Sequence, residues 1–120
     1  MNEIVDKAKK HIPLSEATFY VLVSLVEPKH GYGIMQNVAF RSGDRSKIGP
    51  GTLYGALTNL LKQGLIKRAG EQDLKGERRK VYALTDLGRA VLVQEIERLE
   101  TLVRIGRDEA GRLRATRREG

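Results

Sequence analysis

The 120-residue chain contains no cysteine, which excludes disulfide staples, thiolate nucleophiles and cysteine-ligated zinc or iron–sulfur sites together. Only two histidines are present, His11 and His30, too few to assemble a metal site or a set of nucleophile, base and orienter. No catalytic residue, metal or cofactor is therefore expected, and the chain reads as something other than an enzyme. Long apolar runs are missing as well. The longest, Phe19 to Val26, is interrupted by Ser24 and falls far short of the roughly 20 residues that a membrane span needs. The opening stretch MNEIVDKAKKHIP has no apolar segment after its lysines and no small-residue cleavage site, so it does not read as a secretory signal. A cytoplasmic protein is expected.

What the chain does have is positive charge in one place. Its length suits one domain, and an apolar share of 40% is enough for a core. Lysine and arginine number 22 against 15 acids, a net charge of +7. Residues 41–80 hold ten bases and four acids, whereas residues 1–40 are balanced and 81–100 are net −2. The last twenty residues, with six arginines and three acids, are net +3. A localised excess of this kind points to a polyanion.

Local signals divide the chain into short elements. Ser15 is an N-cap, Ala17, Tyr20, Val21 and Leu25 recur at helical steps, and Pro28 closes that first helix. After HGYG, the residues Ile34, Met35, Val38 and Ala39 predict a second helix of about three turns, ended by Ser42 and Gly43. Pro50 at a first turn and Gly64 at a left-handed cap bound a third helix over about residues 50–63. At 100° per residue this helix puts Leu53, Leu57, Leu60 and Leu61 on one face. Gly51, Gly55, Thr58, Asn59 and Lys62 fall on the other, with Thr52 and Tyr54 on the flanks. Leu65–Arg68 and Lys80–Leu84 are the only plausible strands, and the charged, turn-rich span between them predicts a β-hairpin with a long basic tip. Thr85 caps a fourth helix, in which Leu92, Ile96, Leu99 and Val103 follow 4, 3, 4 spacing. Beyond Gly106 the apolar period is lost, and the arginine-rich tail is expected to fray.

Three short helices followed by a two-stranded hairpin define the expected fold: mainly α with a small β-hairpin, a winged helix-turn-helix with a C-terminal dimerisation helix. Residues 1–84 form the DNA-binding domain, 85–106 the dimerisation helix and 107–120 a flexible basic tail. A helix that enters a major groove needs small or hydrogen-bonding residues facing outward, and Gly51, Thr52, Gly55, Thr58 and Asn59 supply them. Asn59 is suited to pair with adenine. The wing needs cations, and Lys75, Arg78, Arg79 and Lys80 provide them for phosphates or a minor groove. His30 reads as a cap or packed turn rather than a base, and GPGTLYG lacks both the preceding strand and the Gly-Lys-Ser/Thr of a phosphate loop.

Four blocks carry a more specific signal: HGYGI (30–34), GPGTLYGAL (49–57), QGLI (63–66) and ERRKVYALTDLGRAVL (77–92). Over about residues 12–104 the chain resembles the PadR-like transcriptional regulators. That resemblance implies a dimeric winged-helix repressor, joined through its C-terminal helix and in several members released by small aromatic or hydrophobic compounds; a twofold dimer in turn leads us to expect a pseudo-palindromic DNA operator. It also implies that Tyr54 and the basic wing touch the DNA backbone. Two departures stand out. Gly55 occupies a position where the family most often has proline, and the absence of tryptophan removes the side chain that some relatives use to sandwich flat drugs. The short C-terminal part implies the type with one terminal helix.

Each feature also has a plainer reading. The polar helix face is equally a solvated surface, and the wing cations equally discourage edge-to-edge strand pairing. The stripe Leu92, Ile96, Leu99 and Val103 fits a dimer seam, and it also fits packing on the chain's own first helix. A basic RNA-associated or architectural protein without sequence choice would use the same charges, and a protein-interaction module would use the same terminal helix.

Overall fold

The computed structural model describes residues 2–119. Eight elements follow in the order α1 (Asn2–Lys9), α2 (Glu16–Ser24), β1 (Lys29–His30), α3 (Gly31–Arg41), α4 (Pro50–Lys62), β2 (Ile66–Leu74), β3 (Glu77–Leu84) and α5 (Asp86–Glu119). They form a mostly helical domain with one three-stranded antiparallel sheet, ordered β1-β3-β2.

The caps read from the sequence are made. Ser15 Oγ accepts from the Thr18 N–H at 3.1 Å ahead of α2, and His30 Nδ1 accepts from the Gly33 N–H at 3.0 Å ahead of α3. Both satisfy a first-turn donor that a helix otherwise leaves unpaired. Pro50 opens α4, and Gly64 ends it at φ +75°. There the Leu65 N–H returns to Leu60 O at 3.0 Å and the Gly64 N–H to Leu61 O at 3.1 Å, the paired bonds of a Schellman stop. Thr85 Oγ1 accepts from Gly88 N–H at 3.0 Å to start α5 and donates to Gly64 O at 2.6 Å, tying the two helix ends together.

The core collects Val21 and Leu22 of α2, Ile34 and Val38 of α3, Leu53, Leu57 and Leu60 of α4, Tyr82 and Leu84 of β3, and Val91 and Leu92 of α5. Four expectations are corrected. An additional helix, α1, precedes the first expected one and lies along α5, with Ala8 fully buried and Gln94 Nε2 donating to Val5 O at 3.0 Å. An additional strand, β1, pairs Lys29 with Tyr82 and His30 with Val81. The hairpin has no long tip: β2 and β3 stay paired out to Leu74 and Glu77, and only Lys75 (φ 52°) and Gly76 (φ 81°) make the turn. Positive φ at both central residues is the two-residue turn whose twist matches that of the strands. Finally, helical structure does not end at Gly106. It continues to Glu119, because arginine, glutamate, alanine and leucine sustain a helix and the glycines at 106 and 111 weaken it without stopping it. A Glu109–Arg112 ion pair at 3.4 Å supports this stretch.

One buried charge was not anticipated. Glu95 of α5 is 1% exposed, accepts the Leu14 N–H at 2.7 Å and holds Arg98 in a two-pronged ion pair, with Arg98 Nη2 donating to Oε2 at 2.9 Å. Arg98 and then the Leu14 N–H hold this carboxyl below its ordinary pKa, against the opposing effect of burial. Glu95 thereby clamps the loop between α1 and α2 onto α5.

Candidate nucleic-acid interface

The outward face of α4 is exposed along its whole length. Leu53, Leu57 and Leu60 point into the core, which leaves Gly51, Thr52, Tyr54, Gly55, Thr58, Asn59 and Lys62 on the surface. A Cβ built at Gly51 or Gly55 would meet no atom within 4 Å. Nothing inside the protomer therefore requires glycine at these two positions, and the bare backbone offers the close approach that a groove demands. Thr58 Oγ1 donates to Tyr54 O at 2.9 Å, so its hydroxyl hydrogen is occupied and its lone pairs are left facing outward.

Tyr54 does two things. Half of it is exposed, while its ring lies on the first residue of α3: a Cβ at Gly31 would come within 2.8 Å of the Tyr54 hydroxyl oxygen. This contact explains the second letter of HGYG and sets α3 against α4. A Gly31→Ala change is expected to push the tyrosine ring outward, costing about 1 kcal/mol of stability in a urea titration while leaving the fold intact.

Between α4 and the wing runs an open groove of about 530 Å³. Tyr54 and Thr58 form one wall, and Arg68, Arg78, Arg79 and Lys80 form the other. Of the expected site residues, the structure brings these five together: Tyr54, Thr58, Arg78, Arg79 and Lys80. Lys75 stands apart at the turn, and Gly51, Thr52, Gly55, Asn59 and Lys62 lie on α4 outside this groove. Arg68 also lines this groove and was not singled out. Its signal was its place in the basic third of the chain, on the strand that opens the wing.

The wing cations are only loosely held by acids. Lys80 lies opposite Glu71 and Arg78 opposite Asp73 across the ladder, with ion pairs Arg78–Glu71 at 3.7 Å and Arg79–Glu77 at 3.3 Å. Exposed pairs of this kind are worth well under about 1 kcal/mol, so a phosphate can replace the carboxylate cheaply. Arg79 Nε is buried without a hydrogen-bond partner. Between Arg68 and Glu71 the register slips, with Ala69 and Gly70 facing one residue of β3 and Gly70 at φ +99°. Such a bulge sharpens the strand's twist and so re-aims the outer half of the wing.

A model of the transcriptional regulator PadR-like family matches residues 20–94, more than half of the chain. The chain belongs to the PadR-like family. It is 36% identical over 89 residues to an uncharacterised 37.1 kDa protein of transposon Tn4556 from Streptomyces fradiae, spanning 73% of this chain and 24% of that protein. It is 37% identical over 75 residues to the transcriptional regulator Rv3488 of Mycobacterium tuberculosis, spanning 62% of this chain and 66% of the relative. The PadR-like regulator thus spans about a quarter of the first relative's length and just under two thirds of the second's. Among solved structures, a transcriptional regulator from Clostridium thermocellum superposes with a TM-score of 0.63 at 25% identity, covering 86% of this chain and 96% of its own. Bacillus subtilis PadR in complex with operator DNA gives a TM-score of 0.61 at 22% identity, covering 70% and 48%, a likeness that speaks to the fold. The winged-helix fold read from the sequence is therefore that of these solved relatives.

The expected seam on its terminal helix needs one correction. Leu92 is 6% exposed and sits in the chain's own core, because it shares a helix face with Val91 and Glu95. Ile96 and Val103 are exposed and Leu99 is half-buried, so these three remain available to a partner. Among the described residues no helix is long and apolar enough to cross a membrane.

Proposed function

We propose that this PadR-like regulator is a homodimeric repressor that binds a pseudo-palindromic operator, with α4 in the major groove and the wing on the backbone. The observation that carries this reading is the groove in which Tyr54 and Thr58 of the reading helix face four wing cations. In this reading Asn59, with Gly51, Thr52 and Gly55 beside it, approaches base edges, while Lys62, Arg68, Lys75, Arg78, Arg79 and Lys80 take phosphates. Repression asks only that the bound dimer occlude a promoter. Release by a small aromatic effector with a polar group is supported by an open cavity of about 340 Å³ between α2 and α5, in which Leu14, Phe19, Tyr20 and Leu99 meet the charged Glu16, Glu95 and Arg98. That volume suits a compound of one or two rings.

Footprinting and titration of DNA from around its own gene test the reading. A discrete protected site with twofold symmetry and a steep salt dependence is expected. Asn59→Ala should relax preference at one base pair per half-site by about 1–3 kcal/mol, and Arg78→Ala should weaken all sequences alike and lower the salt slope by about one per contact. Equal affinity for bulk DNA, structured RNA and the best duplex would replace this reading with that of a non-specific nucleic-acid binder.

A further inference from the structure

Three of the ten bases in residues 41–80 belong to neither α4 nor the wing. Arg41 ends α3, and Arg45 and Lys47 stand in the loop that leads from it to Pro50. All three are exposed, with Asp44 the one acid among residues 41–49. The wing arginines have Glu71 and Glu77 as ion-pair partners, whereas none of these three bases is in an ion pair among the described residues.

The loop that carries them is firmly built. Ser42 is 5% exposed, and its hydroxyl accepts the Ser46 N–H at 3.0 Å. The same hydroxyl lies 3.3 Å from Ala39 O and 3.2 Å from Ser46 O, the two acceptors open to its own hydrogen. Gly43 (φ 61°) and Asp44 (φ 65°) take consecutive left-handed conformations that turn the chain, and the Asp44 N–H closes this turn on Ala39 O at 2.8 Å. A residue with a side chain persists in such a conformation where its neighbours fix it. Ile48 then packs on the core and anchors the far end of the loop. Arg45 Nε donates to Ser42 O at 3.4 Å, which leaves the two Nη groups of its fork without a partner among the described residues. Arg41 is steadied in the same way, through Nε to Asn37 Oδ1 at 2.7 Å.

We infer that Arg45 and Lys47, with Arg41 at the end of α3, form a second phosphate clamp, on the DNA backbone at the N-terminal end of α4 and separate from the wing. The inference rests on the DNA-binding reading above and adds a contact to it. At 1.5 Å per residue α4 is about 20 Å long, more than the major groove's width of about 12 Å. A helix seated there brings its ends up to the phosphate walls. The wing covers the flank of α4 that carries Tyr54 and Thr58. At the opposite end, the bases that lead into the first turn at Pro50 are Arg45 and Lys47. Lacking an acid of their own, they find their counter-charge on the backbone, with the Arg45 fork suited to two phosphate oxygens. Ser42 is a positioning residue: it touches no phosphate and fixes the loop that does.

The test uses the full chain and a mixed-sequence duplex of about 30 base pairs, because backbone contacts need no operator. Arg45→Ala and Lys47→Ala should each weaken binding about fivefold at about 0.1 M salt and lower the salt slope by about one. Lys9→Ala, which removes an exposed cation of α1, should change neither, and so separates a contact from a fall in net charge. Ser42→Ala should also weaken binding, and in its background the further loss from Arg45→Ala should shrink to about twofold. If Arg78→Ala weakens binding while Arg45→Ala and Lys47→Ala do no more than Lys9→Ala, the loop clamp is overturned and the wing stands. An undiminished loss from Arg45→Ala in the Ser42→Ala background overturns the positioning role of Ser42. A wild-type chain that does not bind the duplex overturns the DNA-binding reading as well.

Discussion

Gly88→Ala is expected to cost about 3 kcal/mol of folding free energy. Gly88 sits in the first turn of α5, directly over the link between α4 and β2. A Cβ there would collide with the Leu65 carbonyl oxygen and lie 3.0 Å from its carbon. The obstacle is backbone rather than a side chain that can turn aside. That backbone is also engaged: Leu65 O accepts the Thr85 N–H at 3.1 Å, and the Leu65 N–H closes the stop of α4 at 3.0 Å. Relief therefore requires either lifting α5 off the domain or breaking the α4 stop. Urea unfolding of the variant should show a lower midpoint with an unchanged slope. A loss below about 0.5 kcal/mol would mean that α5 does not dock as described. Alanine at Gly51, where the space is open, is the control, and it should leave stability within about 0.5 kcal/mol.

Removal of the Glu95 side chain should be nearly as costly. Glu95→Ala leaves the Leu14 N–H without its acceptor and Arg98 without its partner. Breaking a fully buried pair costs about 3–5 kcal/mol, but Arg98 keeps about a third of its side chain in water, so about 2–3 kcal/mol is expected. Glu95→Gln retains an acceptor and should lose less. Acid sensitivity follows from the same contacts. Because the folded-state pKa is depressed, the charged carboxylate contributes stability that is complete above the unfolded-state value near 4.3 and is lost as pH falls through the folded one. Denaturant titrations between about pH 6 and 3 should show wild-type stability falling on the acid side, with a shallower fall in Glu95→Gln. Parallel pH profiles for the two proteins would rule Glu95 out as the source.

Elements whose signals are local were legible in the sequence. Ser15, His30, Pro50 and Gly64 act within one turn of their own position, so α2, α3 and α4 could be placed from residue type and spacing, although α2 ends at Ser24, ahead of the stop near Glu27 that Pro28 suggested. The outward face of α4 followed from its leucines, since any residue opposite Leu53, Leu57 and Leu60 had to face outward. Elements held by distant partners were not legible. β1 is two residues long and exists only because β3 lies beside it. The outer wing is charged on both faces, so it lacks the apolar alternation that marks a strand, and it is read only once Glu71 is seen opposite Lys80. α1 has too few apolar residues to announce itself without α5. The stripe on α5 was visible, but a stripe does not say whose surface it covers, and Leu92 turned out to serve its own protomer. Gly88 and Glu95 carried no local anomaly at all.

The 34 residues of α5 form one uninterrupted rod about 50 Å long. Its first turn is pinned through Gly88 to the junction of α4 and the wing, and its middle is clamped by Glu95 to the loop before α2. A rod does not absorb twist the way a hinge does. Any rotation imposed on the outer arm must reappear as a tilt of α4 relative to the wing, at the junction itself. Were two copies to pair as proposed above, the angle between their α4 helices would be set by torsion along this shaft.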